Sequence, residues 1–405
     1  RIVASLIKAS DGSQLWSQSY ERRLQDVFAV QSDIATSVAN ALKATLFGQS
    51  VEVTDKPPNG NMAAYDAMLQ GRFHAERRNR ADYATAVGYY QKAIALDPAY
   101  ALAYARLAIA QQWFNDWVAS AGERRLVSAQ AHANAHKAVE LAPQSALALG
   151  ALGINQAWSD FDYASAEATL KKAVALDPSN AETLYQLADV TFSMGRFDQG
   201  IAMMRKALTM EPLNASFRFY AGTFLMAAGR FDEAETELER AIELQPGADG
   251  YGSALGLALM ERGQFDRALA ATQADPNGQD RRQALAMIAW ARGDKVRAQA
   301  QLDELIRLDG ANAPGLIAGV HAFEGNLDEA FVWLDRAMLA KDPSAASIYE
   351  TPPEVIATLR KDPRFAAFCR KLGLPAPAGI AVKGSTPTSG AIETSAVQPA
   401  SERAR

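Results

Sequence analysis

The sequence predicts a mainly α chain: an α-solenoid of stacked helix hairpins preceded by a small α/β segment, a β-hairpin plus one helix. Three observations carry this prediction. A unit closed by proline recurs at prolines 178, 212 and 246, each 34 residues after the last. A glycine marker stands midway between those prolines. Only the first twenty residues show the period of two that belongs to strands. With 405 residues the chain has room for two or three domains and a sizeable core.

The strand-like part comes first. Residues Ile2 to Tyr20 read as two short strands around Ser10-Asp11-Gly12-Ser13, where Asp-Gly supplies the positive φ angles of a tight hairpin turn. The second arm alternates Trp16, Gln18 and Tyr20 against Leu15, Ser17 and Ser19, so one face carries large rings that need a partner layer. From Asp26 to Leu46 apolar residues fall at Val27, Val30, Ile34, Val38, Leu42 and Leu46, the stripe of an amphipathic helix able to cover the hairpin. Two strands and one helix are too little for an independent core. Residues 1–48 are therefore expected to end a larger α/β domain, and the opening at Arg1 without a leader to mark a fragment of a longer protein. Residues 49–61, with Lys56-Pro57-Pro58-Asn59-Gly60, read as a linker.

The repeat array is expected over residues 62–343. Ala93-Ile94-Ala95-Leu96-Asp97-Pro98, Ala173-Val174-Ala175-Leu176-Asp177-Pro178 and Ala241-Ile242-Glu243-Leu244-Gln245-Pro246 end three units alike. Within the period stand Gly195-Arg196-Phe197-Asp198, Gly229-Arg230-Phe231-Asp232, Gly263-Gln264-Phe265-Asp266 and Gly325-Asn326-Leu327-Asp328. Glycine accepts the left-handed conformation that ends a first helix, the aspartate lies near the start of the second, and proline stops it. Small residues at Ala188, Gly222 and Gly256 on first helices, and at Ala166, Ala234, Ala268 and Ala330 on second helices, let two backbones approach. No such hairpin buries its apolar face alone, so neighbours must stack. Residues 344–374 read as capping helices. Residues 375–405, rich in Pro, Ala, Ser, Thr and Gly, offer too little apolar surface to offset ordering entropy and are expected to be disordered.

This period, with small, aromatic and alanine residues at set places and a closing proline, resembles the tetratricopeptide repeat. About eight units fit between Met62 and Asp342, and the second carries an insertion of about eleven residues around Ala119 to Leu126. Leu15-Trp16-Ser17-Gln18-Ser19-Tyr20 with Leu24 to Gln31, Ala64-Tyr65-Asp66-Ala67, and Asp362-Pro363-Arg364-Phe365 to Leu374 resemble a group of bacterial signalling proteins in which a TolB-like segment precedes such repeats. That resemblance implies an upstream domain that is a class III adenylate or guanylate cyclase, a winged-helix DNA-binding domain, or sometimes a kinase.

No enzyme chemistry is expected from these residues: no catalytic residue, metal ligand or cofactor is assigned. His132 and His136 share one helix face at i, i+4 with Glu140 a turn on, a spacing that can ligate a metal but reads here as a solvated face. His74 and His321 take first-helix places usually held by aromatics and are expected to pack. Cys369, the only cysteine, sits among Phe365, Phe368 and Leu372, where an apolar setting raises a thiol pKa. A net charge of -5, from 41 Lys+Arg against 46 Asp+Glu, argues against nucleic-acid partners, and the short clusters at Arg77-Arg78 and Arg281-Arg282 do not change that. No apolar run reaches the ~18 residues of a membrane span.

The candidate site is a partner-binding face on the first helices, which line the concave side in the tetratricopeptide family. Its outward positions are Ile109, Trp113, Ile154, Trp158, Tyr185, Asp189, Phe192, Phe219, Met226, Leu257 and Met260. This apolar lining suits an amphipathic helix or an extended peptide held by aromatic anchors; it suits equally an adjoining domain or tight turns of the array itself. Glu182, Tyr185, Asp189, Ser216 and Phe219 stand where related proteins clamp a carboxylate with basic residues, so that mode is not expected. The reading is a protein-protein interaction scaffold or regulatory module of a bacterial signalling protein, with self-association left open. The alternatives are the sensory half of a cyclase or of a winged-helix regulator. Its compartment is expected to be cytoplasmic, or periplasmic if a membrane helix lies upstream.

Overall fold

A computed structural model of the chain describes residues 2–7, 14–20, 57–77, 80–115, 121–276 and 278–375. Strands β1 (Ile2–Ile7) and β2 (Gln14–Tyr20) pair antiparallel, with Ile2 opposite Tyr20 and Leu6 opposite Trp16. The turn at Ser10 to Ser13, the expected helix Asp26 to Leu46, most of the linker and the tail beyond Pro375 lie outside the described residues. The remaining elements among the described residues are helical, and the described chain divides into two compact units, the residues up to 160 with 165–186, and residues 161–164 with those from 187 on.

In the first unit α1 (Met62–Ala75) and α2 (Arg80–Leu96) form a hairpin, as do α3 (Ala101–Phe114) and α4 (Ala121–Leu141), and α5 (Ala146–Trp158) packs on both α3 and α4. The Leu-Asp-Pro ending has a direct structural job. Asp97 accepts hydrogen bonds from the N–H of Ala99 at 3.1 Å and of Asn59 at 3.2 Å, while Asn61 caps α1 by accepting from Ala63 and Ala64. The end of the second helix is thereby tied to the start of the first. Residues 121–126 of the expected insertion are helical. They extend α4 to 21 residues, because Ala121, Glu123, Arg124, Arg125 and Leu126 are good helix formers, and the extension buries Arg124.

Two helices span the boundary between the units, α6 (Tyr163–Leu176) and α7 (Ala181–Ser193). The second unit continues with α8 (Phe197–Met210), α9 (Ala215–Ala227), α10 (Phe231–Leu244), α11 (Tyr251–Glu261) and α12 (Phe265–Gln273). Then come α13 (Gly278–Ala291), α14 (Lys295–Asp309), α15 (Pro314–Glu324) and α16 (Leu327–Ala340). First helices stack on first helices, α9 on α11, α11 on α13 and α13 on α15, and each packs on its own second helix.

Gly229 shows how the hairpin turns. Its φ of 76° lets the N–H of Arg230 reach back to the carbonyl of Leu225 at 2.8 Å, closing α9 before α10 begins. Gly195, Gly263 and Gly325 take the same conformation at the same place. The aspartates that follow, Asp198, Asp232, Asp266 and Asp328, fall in the first turn of their helices and make no side-chain cap. They act through charge on the positive helix end. At Gly222 a Cβ would come 2.5 Å from Leu238 Cγ, so the glycine is what lets α9 and α10 close up.

A 3-10 helix, Pro343–Glu350, and two short helices, α17 (Pro353–Leu359) and α18 (Pro363–Lys371), complete the described chain. The 3-10 helix packs against α9, α15 and α16, and α17 against α15. Asp342 anchors the turn into it, accepting from Gly315 N–H at 2.9 Å and from the Ser344 hydroxyl at 2.7 Å.

Candidate protein-binding face

The structure corrects the orientation expected for the partner-binding residues. In the first unit Ile109, Ile154, Trp158 and Tyr185 are buried, and Trp113 alone of its five predicted positions is partly exposed. The reason is the tightness of the stack. Ile109 lies in one apolar cluster with Leu147, Ala148 and Leu152 of α5, and Trp113 packs at the edge of the same cluster. Arg106 on α3 and Glu182 on α7, first helices two hairpins apart, form an ion pair at 2.7 Å, and the Ser159 hydroxyl donates to Gln112 at 2.6 Å. With helices drawn that close, side chains directed away from their own hairpin meet the next one.

In the second unit Asp189, Phe192, Met226, Leu257 and Met260 are buried, and Phe219 is partly exposed. Phe192 stacks on Phe224 at 4.2 Å and meets Phe197 edge-on at 4.7 Å; Phe219 stacks on Tyr251 at 4.6 Å. A second cause acts here. The chain's own C-terminal segment lies on the first helices, with the 3-10 helix touching both α9 and α15 although these are three hairpins apart in sequence.

That segment is held by specific contacts. The Tyr349 hydroxyl donates to the carbonyl of Pro375 at 2.7 Å, lies 3.2 Å from the Cys369 sulfur, and its ring meets Phe197 edge-on at 6.4 Å. The Lys341 ammonium sits 4.8 Å from the centre of the Phe161 ring. Burial, then the Asp189 charge, push the Glu350 carboxyl well above the usual carboxylate range. Burial also raises the Tyr163 and Tyr349 hydroxyls and the Cys369 thiol.

The histidines divide. His132 pairs with Asp160 at 3.1 Å and its ring centroid is 4.4 Å from that of His136, on a half-exposed face. His74 bonds Asp82 at 2.6 Å and stacks on Tyr89. His321 is buried, which lowers its pKa. Among the described residues no group of three or more His, Cys, Asp or Glu is arranged to hold a metal ion, and no helix is long and apolar enough to cross a membrane.

Comparison with known proteins agrees with this architecture. Residues 185–249 and residues 157–204 each match a tetratricopeptide repeat family, so the chain carries tetratricopeptide repeats. A protein of Rhizobium meliloti (strain 1021) named "Putative adenylate cyclase 3" is 29% identical over 119 residues, which are 29% of this chain and 20% of that relative. The match thus spans about a fifth of the relative's length. Human IFIT1, solved as a dimer with PPP-AAAA, is similar with a TM-score of 0.52 at 16% identity, over 76% of this chain and 77% of that one. The APC/C hetero-tetramer Cut9-Hcn1 is similar with a TM-score of 0.52 at 15% identity, over 86% of this chain and 59% of that one. Likeness at such identity shows the fold alone, an α-solenoid of helix hairpins.

Proposed function

We propose that the chain is a protein-protein interaction module of a bacterial signalling protein, docking a partner segment on the first-helix faces of its repeats. The observation that supports this reading best is that, in each unit, one of the predicted aromatics is partly exposed. Trp113 and Phe219 are both partly exposed, each with one side anchored by packing, Trp113 on the Ile109 cluster and Phe219 on Tyr251. A ring fixed on one side and open on the other loses little entropy when a partner covers it, which is why such rings dominate interface energies. The remaining predicted positions then act as the support beneath the anchors. A photo-crosslinking residue at position 219 tests this. It should capture a partner that one at Val296, an exposed second-helix position in the same unit, does not. Identical products from both positions would remove the reading.

A second reading has an observation of its own. Similarity to a relative named as an adenylate cyclase supports a role as the regulatory part of such an enzyme, and the resemblance of residues 1–48 to a TolB-like segment fits it. In that case cyclic nucleotide synthesis by the whole protein would change when Phe219 is replaced by Ala, whereas an enzyme indifferent to the repeat face would keep its rate.

A further inference from the structure

Among the described residues two that are not glycine have a positive φ, Phe161 at 58° and Lys341 at 54°. The two meet: the Lys341 ammonium lies 4.8 Å from the centre of the Phe161 ring. A bulky side chain at positive φ is an outlier, held there only where its surroundings outweigh the strain. Phe161 stands 34 positions before Gly195, at the hairpin turn that Gly195, Gly229 and Gly263 occupy in the hairpins that follow. The repeat calls for glycine at this place, and the chain carries a buried phenylalanine instead.

The ring receives the C-terminal segment. Lys341 closes α16 and begins that segment. Gly373, near the other end, passes the Phe161 backbone so closely that a Cβ would come 3.1 Å from the carbonyl oxygen. Both ends of residues 341–373 therefore converge on Phe161. Between them the 3-10 helix lies against first helices α9 and α15, and Ile348, Tyr349, Ile356 and Leu359 are fully buried. The last helix, α18, rests on α16 through exposed ion pairs, Arg364 with Asp328 at 2.8 Å and Lys371 with Asp335 at 3.4 Å, which hold weakly. Apolar burial closes the segment, and backbone strain at Phe161 and Lys341 works against closure.

We propose that residues 341–375 are an intramolecular occupant of the first-helix face, a strap closed against backbone strain, which a docking segment displaces. The displacing segment is of the same kind, uncharged at its centre, with an aliphatic and an aromatic anchor side by side as Ile348 and Tyr349 are. That a partner docks on this face rests on the function proposed above; the strap and its strain do not. While the strap is closed, the apparent affinity for any competitor falls with the fraction of molecules that are open.

Phe161→Gly in the whole chain separates the strap from the repeat, read by hydrogen exchange and mass spectrometry. Glycine meets the turn without strain, so peptides of α6 and α8 should keep or gain protection, while those of residues 343–375 lose about tenfold with the ring gone. A labelled synthetic peptide of residues 343–375, added in trans, should then bind the variant about tenfold more tightly than the parent, because the open fraction has risen by that factor. If Phe161→Gly misfolds, position 341 answers alone. Lys341→Gly and Lys341→Ala both lack the ammonium, and only glycine is free of strain at that φ, so the strap should be about fivefold better protected in the glycine variant. Crosslinking at position 219 reads the partner separately, so a failure there leaves the strap standing. Protection lost equally from α6 and the strap, strap peptides protected as in the parent, equal binding of the added peptide, or equal protection in the two position-341 variants would each overturn it.

Discussion

In the hairpin of α9 and α10 the two helices are built differently. Ten of the thirteen residues of α9 are buried, against four of the fourteen in α10, so α9 is largely enclosed and α10 keeps an open outer face. The contrast repeats in the next hairpin, where ten of eleven residues of α11 and two of nine in α12 are buried. Charges follow it in part: second helices carry ion pairs between neighbours, such as Arg205 with Glu233 and Arg267 with Glu239, while the buried residues of α9 and α11 are mostly rings, methyls and glycine. The first helix is thus a core element and the second a solvated brace, and a substitution should be judged by which of the two it strikes.

The largest effect should come from emptying an enclosed first-helix site. Trp158→Ala and Phe224→Ala are each expected to cost about 3–5 kcal/mol, measured by denaturant unfolding. A small loss at Trp158 together with weakened partner binding would return that residue to the accessible face. Next is the seam between the helices: Gly222→Ala should cost about 1–3 kcal/mol, and much less in a Leu238→Ala background, where the clashing methyls are gone. Equal costs in the two backgrounds would mean that closeness at Gly222 is not what sets the hairpin.

Tertiary capping should rank third. Asp275, at the end of one hairpin, accepts from the N–H of Gly250 at 3.1 Å and of Ser253 at 2.7 Å at the start of α11, all out of water. Asp275→Ala should cost about 1–3 kcal/mol and reduce exchange protection first at residues 250–254. The smallest effect belongs to the brace. Arg205→Ala, which removes a half-exposed ion pair at 2.6 Å, should change stability by less than about 1 kcal/mol, and by still less in high salt. A cost near that of Phe224→Ala would erase the distinction between the helices.

The difference between the helices was partly legible in the sequence. On α10, apolar residues at Ala234, Leu238 and Ala241 among Glu and Arg mark one buried stripe. On α9, Phe217, Phe219, Tyr220, Phe224, Leu225 and Met226 run round the helix, so the sequence left open whether its outward positions meet a partner or the array itself. A helix apolar on all sides is a buried helix. The exceptions, Trp113 and Phe219, carry no local mark that separates them from Trp158 and Phe192. Asp189 likewise reads as one more polar residue on a first helix.

What the amino-acid sequence determined by itself is the hairpin: its 34-residue period, the glycine turn at Gly229 and its counterparts, the proline stops, and the small residues that let two helices touch. These are short-range matters, settled by backbone sterics and by which side chains lie within a turn of one another. Only the tertiary structure decided what covers the first helices. Tyr349 of the C-terminal segment meets Phe197 at the start of α8, and Arg106 meets Glu182 across two hairpins. Such pairings depend on small angles between successive hairpins, added over several repeats, and no local pattern of residues records that sum.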